Sequence, residues 1–124
     1  MMNANAAWRA RVACMVPLSI RLILETNKEQ NAQKVLARLK KLFDFQLRGL
    51  APYSKGGFEA NIVAHLDDGP WPSVVLRAIE VAQSFGRGWG IGGVVQDEID
   101  LSASGGFAVP GVQFAWITAI RNDR

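Results

Sequence analysis

The chain has one cysteine, one histidine and one tyrosine in 124 residues, and each shortage closes off a class of chemistry. A single thiol, Cys14, forms no internal disulfide and no thiolate metal site; it reads as a small apolar residue. A single imidazole, His65, leaves no H-x-x-x-H pair, so no metal and no cofactor is expected. No apolar run reaches the roughly 18–20 residues that span a bilayer. Residues 12–24 come nearest, and Pro17 and Arg21 interrupt them. Trp8, Arg9 and Arg11 imitate the opening of a signal peptide, but no small-residue cleavage site follows. Residues 1–17 are expected to be a partly flexible N-terminal extension, and residues 18–124 a single domain with a cytoplasmic, bacterial-type character.

Charge is scarce too, at 20% of residues, with a net value of +3 that hides an asymmetry. Residues 18–56 hold eight Lys/Arg against three Asp/Glu, whereas residues 57–124 hold four against eight. Such a chain can meet an anionic partner with its first half, or pair its own halves or subunits. The excess is small, which favours the second.

Against these shortages stands one clear pattern. Residues 58–67, Phe-Glu-Ala-Asn-Ile-Val-Ala-His-Leu-Asp, alternate strictly. Phe58, Ala60, Ile62, Ala64 and Leu66 fall on one side; Glu59, Asn61, Val63, His65 and Asp67 fall on the other. Period-2 alternation marks a strand with one face in a core and one face available to water or a ligand.

The neighbouring segments read around it. Residues 18–25 alternate as a first strand. Thr26-Asn-Lys-Glu29 has the form of a capping box, and Ala32, Val35, Leu36, Leu39, Leu42 and Phe43 recur at helical spacing behind it, predicting a helix over residues 27–43. Lys28, Lys34, Arg38 and Lys41 lie on its opposite face. Residues 45–50 form a second strand, joined to the alternating one through Pro52-Tyr-Ser-Lys-Gly-Gly57 as a hairpin. Pro72 suits the first turn of a second helix, with Val75, Ala78, Ile79, Ala82 and Phe85 as its buried stripe and Gly86 as its C-terminal cap.

The remainder is β-like. Trp89, Ile91, Gly93 and Val95 alternate, as do Ile99 and Leu101, and residues 112–120 are apolar at both parities, as in a central strand. The order β-α-β-β-α-β predicts an α+β domain on the ferredoxin-like, split-βαβ plan. Two helices would cover one face of an antiparallel sheet, with one or two extra C-terminal strands.

Gly88-Trp-Gly-Ile-Gly-Gly93 satisfies G-x-G-x-x-G but follows a helix and enters a strand, so it lacks the helix N-terminus that holds a pyrophosphate. The glycines instead leave room for a close backbone or a large ring, and a ligand slot beside Trp89 with Arg87 at its mouth is expected. His65 has Asp67 and Glu59 on its own strand face as possible orienting carboxylates, but no nucleophile is identifiable. Asp67-Asp68 and Asp97-Glu98-Ile-Asp100 lack calcium-loop spacing and read as solvated strand ends; an acid/base pair of Glu98 with Asp67 would need the fold to join them. Trp8 and Trp71 lie where an interface or pocket rim is expected, while Trp89 and Trp116 read as core.

The reading that follows is a non-catalytic binding or protein-interaction domain, a homodimer using an open sheet face, with Glu59, Asn61, His65, Arg87, Trp89 and Trp71 as binding candidates. Its occupant would be a protein partner or small ligand, and an inhibitor or immunity-type protein is one concrete form. The first alternative is a small enzyme using His65 with Asp67 or Glu59. The second is nucleic-acid binding through the basic face of helix 27–43, weakened because the strand aromatics sit mostly at core parity.

Overall fold

A computed structural model describes residues 15–121. The strands are β1 (Met15–Leu24), β2 (Gln46–Pro52), β3 (Phe58–Asp67), β4 (Gly90–Gly92), β5 (Glu98–Ala103) and β6 (Val112–Ile120); the helices are α1 (Glu29–Lys40) and α2 (Trp71–Phe85). β1 begins at Met15, so residues 15–17 belong to the sheet. The rest of the expected extension, with Trp8 and Cys14, lies outside the described residues.

Among the described residues all six strands form one antiparallel sheet in the order β2-β3-β1-β6-β5-β4. β1 is its spine, paired to β3 from Met15↔Asp67 to Leu24↔Phe58 and to β6 from Ser19↔Thr118 to Leu24↔Val112. This order departs from the simple split-βαβ expectation. The strand following α2 does not return to the centre; β4 is a three-residue edge strand, and β6 takes the place beside β1. The physical reason lies in the residues. Gly-Ile-Gly offers one side chain to a sheet, whereas β6 supplies Ala115, Ile117 and Ala119 to the core beside β1.

Burial follows parity. Val16, Leu18, Ile20, Leu22 and Leu24 of β1 share one core with Phe58, Ala60, Ile62, Ala64 and Leu66 of β3, Ile99 and Leu101 of β5, and Ala115, Ile117 and Ala119 of β6. Ala32, Val35, Leu36 and Leu39 of α1 and Trp71, Val74, Ala78, Ala82 and Phe85 of α2 belong to that same core. One face of the sheet is therefore under both helices. At about 25 cal/mol per Å², such burial is the main favourable term of folding. Ile23 is the exception in β1: it is buried on the opposite face, where it pairs with Glu59 and Phe114.

Gly86 is the C-cap of α2 as expected, but the start of α1 differs from expectation. α1 has Lys28 as its N-cap with no side-chain cap hydrogen bond; Thr26 Oγ1 instead accepts from the Lys28 N–H at 3.1 Å. Asn27 is used elsewhere: its Oδ1 accepts the Gly57 N–H at 3.0 Å and ties the β2–β3 hairpin to the entry of α1. At the end of α2, Gly86 is in extended conformation, φ −163°, so left-handed freedom is not why glycine is there. A Cβ at Gly86 would lie 3.1 Å from the Trp89 ring and 3.2 Å from that of Phe107. Space is the requirement.

Gly57 is the tightest backbone position. It has φ +85°, and a Cβ there would stand 2.1 Å from the Leu24 carbonyl oxygen. Gly56 has φ +99° but nothing within 4 Å. Gly57→Ala should therefore destabilise by about 3 kcal/mol or more, and Gly56→Ala by only about 1 kcal/mol. Urea unfolding followed by circular dichroism reads the difference; equal losses would contradict this packing.

Candidate functional site

The face of the sheet that no described residue covers carries the odd residues of β1 and β3 and, Val112 apart, the even residues of β5 and β6, because that set alternates with the buried one. Arg21 stands at its centre, opposite Asn61 on one side and Trp116 on the other. Its Nη2 donates to Glu59 Oε2 at 2.8 Å, and Asn61 Nδ2 donates to Glu59 Oε1 at 3.3 Å. The guanidinium carbon lies 4.8 Å from the centre of the Trp116 ring and 5.8 Å from that of Tyr53, within cation–π range. Phe114 packs against Trp116 with ring centres 4.1 Å apart. Around this group is a shallow depression of about 450 Å³, whose lining includes Ser19, Arg48, Asn61, Asp100 and Thr118.

The Arg21 hydrogen bond holds the Glu59 carboxyl below its ordinary pKa, against an opposing push from burial and with help from Asn61. The same bond raises the Arg21 pKa. The pair keeps solvent access, with side-chain exposures of 39% and 27%, so its stabilising effect is small and screened by salt. Its greater consequence is orientation, since it fixes an arginine across an indole.

A second concavity, about 420 Å³, lies between α2 and the glycine-rich segment. Ile79, Ala82, Leu101, Ile91 and Trp89 give it apolar walls, and Gln83 and Arg87 also line it. The Trp89 indole N–H donates to the Ala82 carbonyl at 3.0 Å. Arg87 and Trp89, expected together at one slot, do line one slot.

Of the other candidates, Glu59 and Asn61 lie beside Arg21, whereas His65 sits two strand positions beyond Val63 and lines a separate hollow with Asp67, Arg77 and Glu80. Among the described residues no hydrogen bond joins His65 to Asp67 or Glu59, and Glu59 is engaged by Arg21. Asp67 and Glu98 are on β3 and β5, with β1 and β6 between them, about 14 Å apart at ordinary strand spacing. The fold does not join them.

Trp71 is largely buried and lines a small hollow with Val16, Asp68 and Ile120. It is only 6% exposed, and its indole N–H donates to the Val95 carbonyl at 2.6 Å, clasping the β4–β5 connection to the start of α2. Lys28, Lys34, Arg38 and Lys41 are all exposed on or beside α1, but the sheet's exposed aromatic, Trp116, is on the face that α1 does not cover.

Sequence reasoning missed Arg21, Tyr53, Phe114 and Trp116. The signal lay in β6: Ala115 and Ala119 are small enough to sit beneath helices, which sends Phe114, Trp116 and Thr118 to the other face. Among the described residues, no cluster of three or more His, Cys, Asp or Glu could hold a metal ion, and no helix is long and apolar enough to cross a membrane. No family model, curated protein or solved structure matches this chain.

A carboxyl whose pKa is lowered on folding contributes stability above its unfolded value, and that contribution disappears as pH falls through the folded one. Glu59→Gln should thus melt below the parent at pH 7, and the gap should close as pH drops below about 4. Thermal melts across pH in low salt measure it; a gap that persists in acid would contradict the ion pair.

Proposed function

We propose that the protein is a non-catalytic binding domain that associates through the sheet face that no described residue covers, and that the occupant is a second copy of the chain. The observation that carries this reading is the Arg21 guanidinium held by Glu59 across the exposed ring of Trp116. Arginine, tryptophan and tyrosine are the residues that dominate interface energetics when a partner excludes water from them. An orientation fixed beforehand lowers the entropy cost of docking.

Size and charge favour a second copy. Six strands at about 4.8 Å spacing and about 3.3 Å per residue give a face of roughly 24 by 30 Å, about 700 Å². That is close to the ~800 Å² per partner of an ordinary stable interface. The face carries Arg21 and Arg48 around the depression together with Glu59 and Asp100. Two copies related by a two-fold axis can set these signs against one another, as an isologous contact requires. A strongly acidic or basic partner would find no such excess.

For the fold, we infer that β2, β3, β1 and β6 with the two helices constitute a split-βαβ unit of the ferredoxin-like kind, extended at one edge by β4 and β5. What supports this is the pairing of β1 between β3 and the last strand, with a helix after β1 and another after β3.

The experiment is light scattering after gel filtration, over low to high micromolar concentration. The parent should run at about twice the monomer mass, and Trp116→Glu should shift it to monomer while keeping the parent's circular dichroism, because Trp116 is outside the core. A parent chain that stays monomeric at high micromolar concentration overturns the proposal, as does a Trp116→Glu variant that remains dimeric.

A further inference from the structure

The slot between α2 and the segment after it is separate from the sheet face and has a chemistry of its own. Its volume, about 420 Å³, is in the range of about 300–1,000 Å³ that small-molecule sites occupy. The indole of Trp89 is fixed on three sides. Its N–H is spent on the Ala82 carbonyl, and its ring meets Phe85 edge-on at 5.3 Å and Phe107 edge-on at 6.1 Å. Gly86 leaves the space that lets those rings close together. The wall facing the slot is therefore a rigid aromatic surface, flanked by Ile79, Ile91 and Leu101.

The polar groups in the lining point to one sign of charge. Among the described residues Arg87 is its one ionisable side chain and no carboxylate lines it, while Gln83 adds an amide. Arg87 is exposed, and among the described residues its guanidinium has no ion-pair partner, whereas its backbone N–H donates to the Gly106 carbonyl at 3.1 Å. That backbone bond fixes where the side chain leaves the loop. A flat apolar body against Trp89 with an anionic group reaching Arg87 would use both features, since a guanidinium binds a carboxylate through paired charge-assisted hydrogen bonds.

We propose that this slot binds a small planar aromatic carboxylate. The ring lies between Trp89 and the Ile79–Ile91 side, and the carboxylate is held by Arg87 and Gln83. The site uses no residue of the Arg21–Trp116 face, so it stands or falls apart from the dimer.

The test is an amide and indole NMR titration of the full chain with three probes: indole-3-acetate, uncharged 3-methylindole and cationic tryptamine. Indole-3-acetate should give saturable shifts at the Trp89 indole N–H and the Gly86 and Gly88 amides, with Kd below about 1 mM. It should bind about tenfold more tightly than 3-methylindole, with tryptamine weakest. Arg87→Gln should abolish the preference for the acid, and Gln83→Trp, which places a ring at the exposed rim, should block all three probes. The ranking of the three probes on the parent chain reads the charge preference even if a variant fails to fold. No saturable shift with any probe, equal affinity for acid and amine, or shifts centred on Trp116 would each overturn the proposal.

Discussion

The double pairing of β1 is the constraint on which the rest depends. Leu18, Leu22 and Leu24 are wholly buried and Ile20 nearly so, and both edges of the strand are hydrogen-bonded, to β3 and to β6. Strand side chains alternate, so a slip of one residue in either register would turn the leucines outward and Arg21 inward. The same pairing that closes the core therefore also sets Arg21 between Asn61 and Trp116. No separate device positions that group; it follows from where the apolar residues of β1 must go.

The molecule presents two different surfaces as a result. The side under the helices is finished by aromatic packing in which Phe85, fully buried, stacks with Phe43 and Phe107 and meets Trp89 edge-on. That cluster ends at the slot, so its wall is continuous with the core and inherits its rigidity. The opposite side carries a hydrogen-bonded ion pair, an exposed tryptophan and a bulged edge strand at Arg48. One surface suits a small ligand held against a fixed ring, the other a broad contact.

The sequence was most legible where a single period governed it. The alternation of residues 58–67 placed every buried side chain of β3, and the helical spacing of residues 32–39 placed those of α1. Residues 112–120 were legible only in part: apolar side chains at both parities mark an interior strand, but they do not say which face the helices cover. The alanines in β6 decided that, and Trp116 went to the face left open. The capping role given to Thr26 failed because the chain begins α1 two residues later than the motif implies. Strand order was beyond reach because sequence position alone cannot tell that a glycine-rich segment will serve as an edge. For the site, Arg87 and Trp89 could be grouped because they are neighbours in the chain, whereas Arg21, Tyr53 and Trp116 meet only through strand pairing.

The partnership of β1 with β6 has a consequence for how the protein is made. Ser19 pairs with Thr118, so the first described strand waits for the last described strand before its second edge is covered. During synthesis, β1, both helices and the β2–β3 hairpin all leave the ribosome before β6 does. Contacts so distant in the chain close slowly, and until then an apolar strand edge is open to pairing with any other chain. The nascent protein therefore passes through a stage in which its hydrophobic centre is assembled on one flank only, and its vulnerability to aggregation lasts until β6 docks against β1.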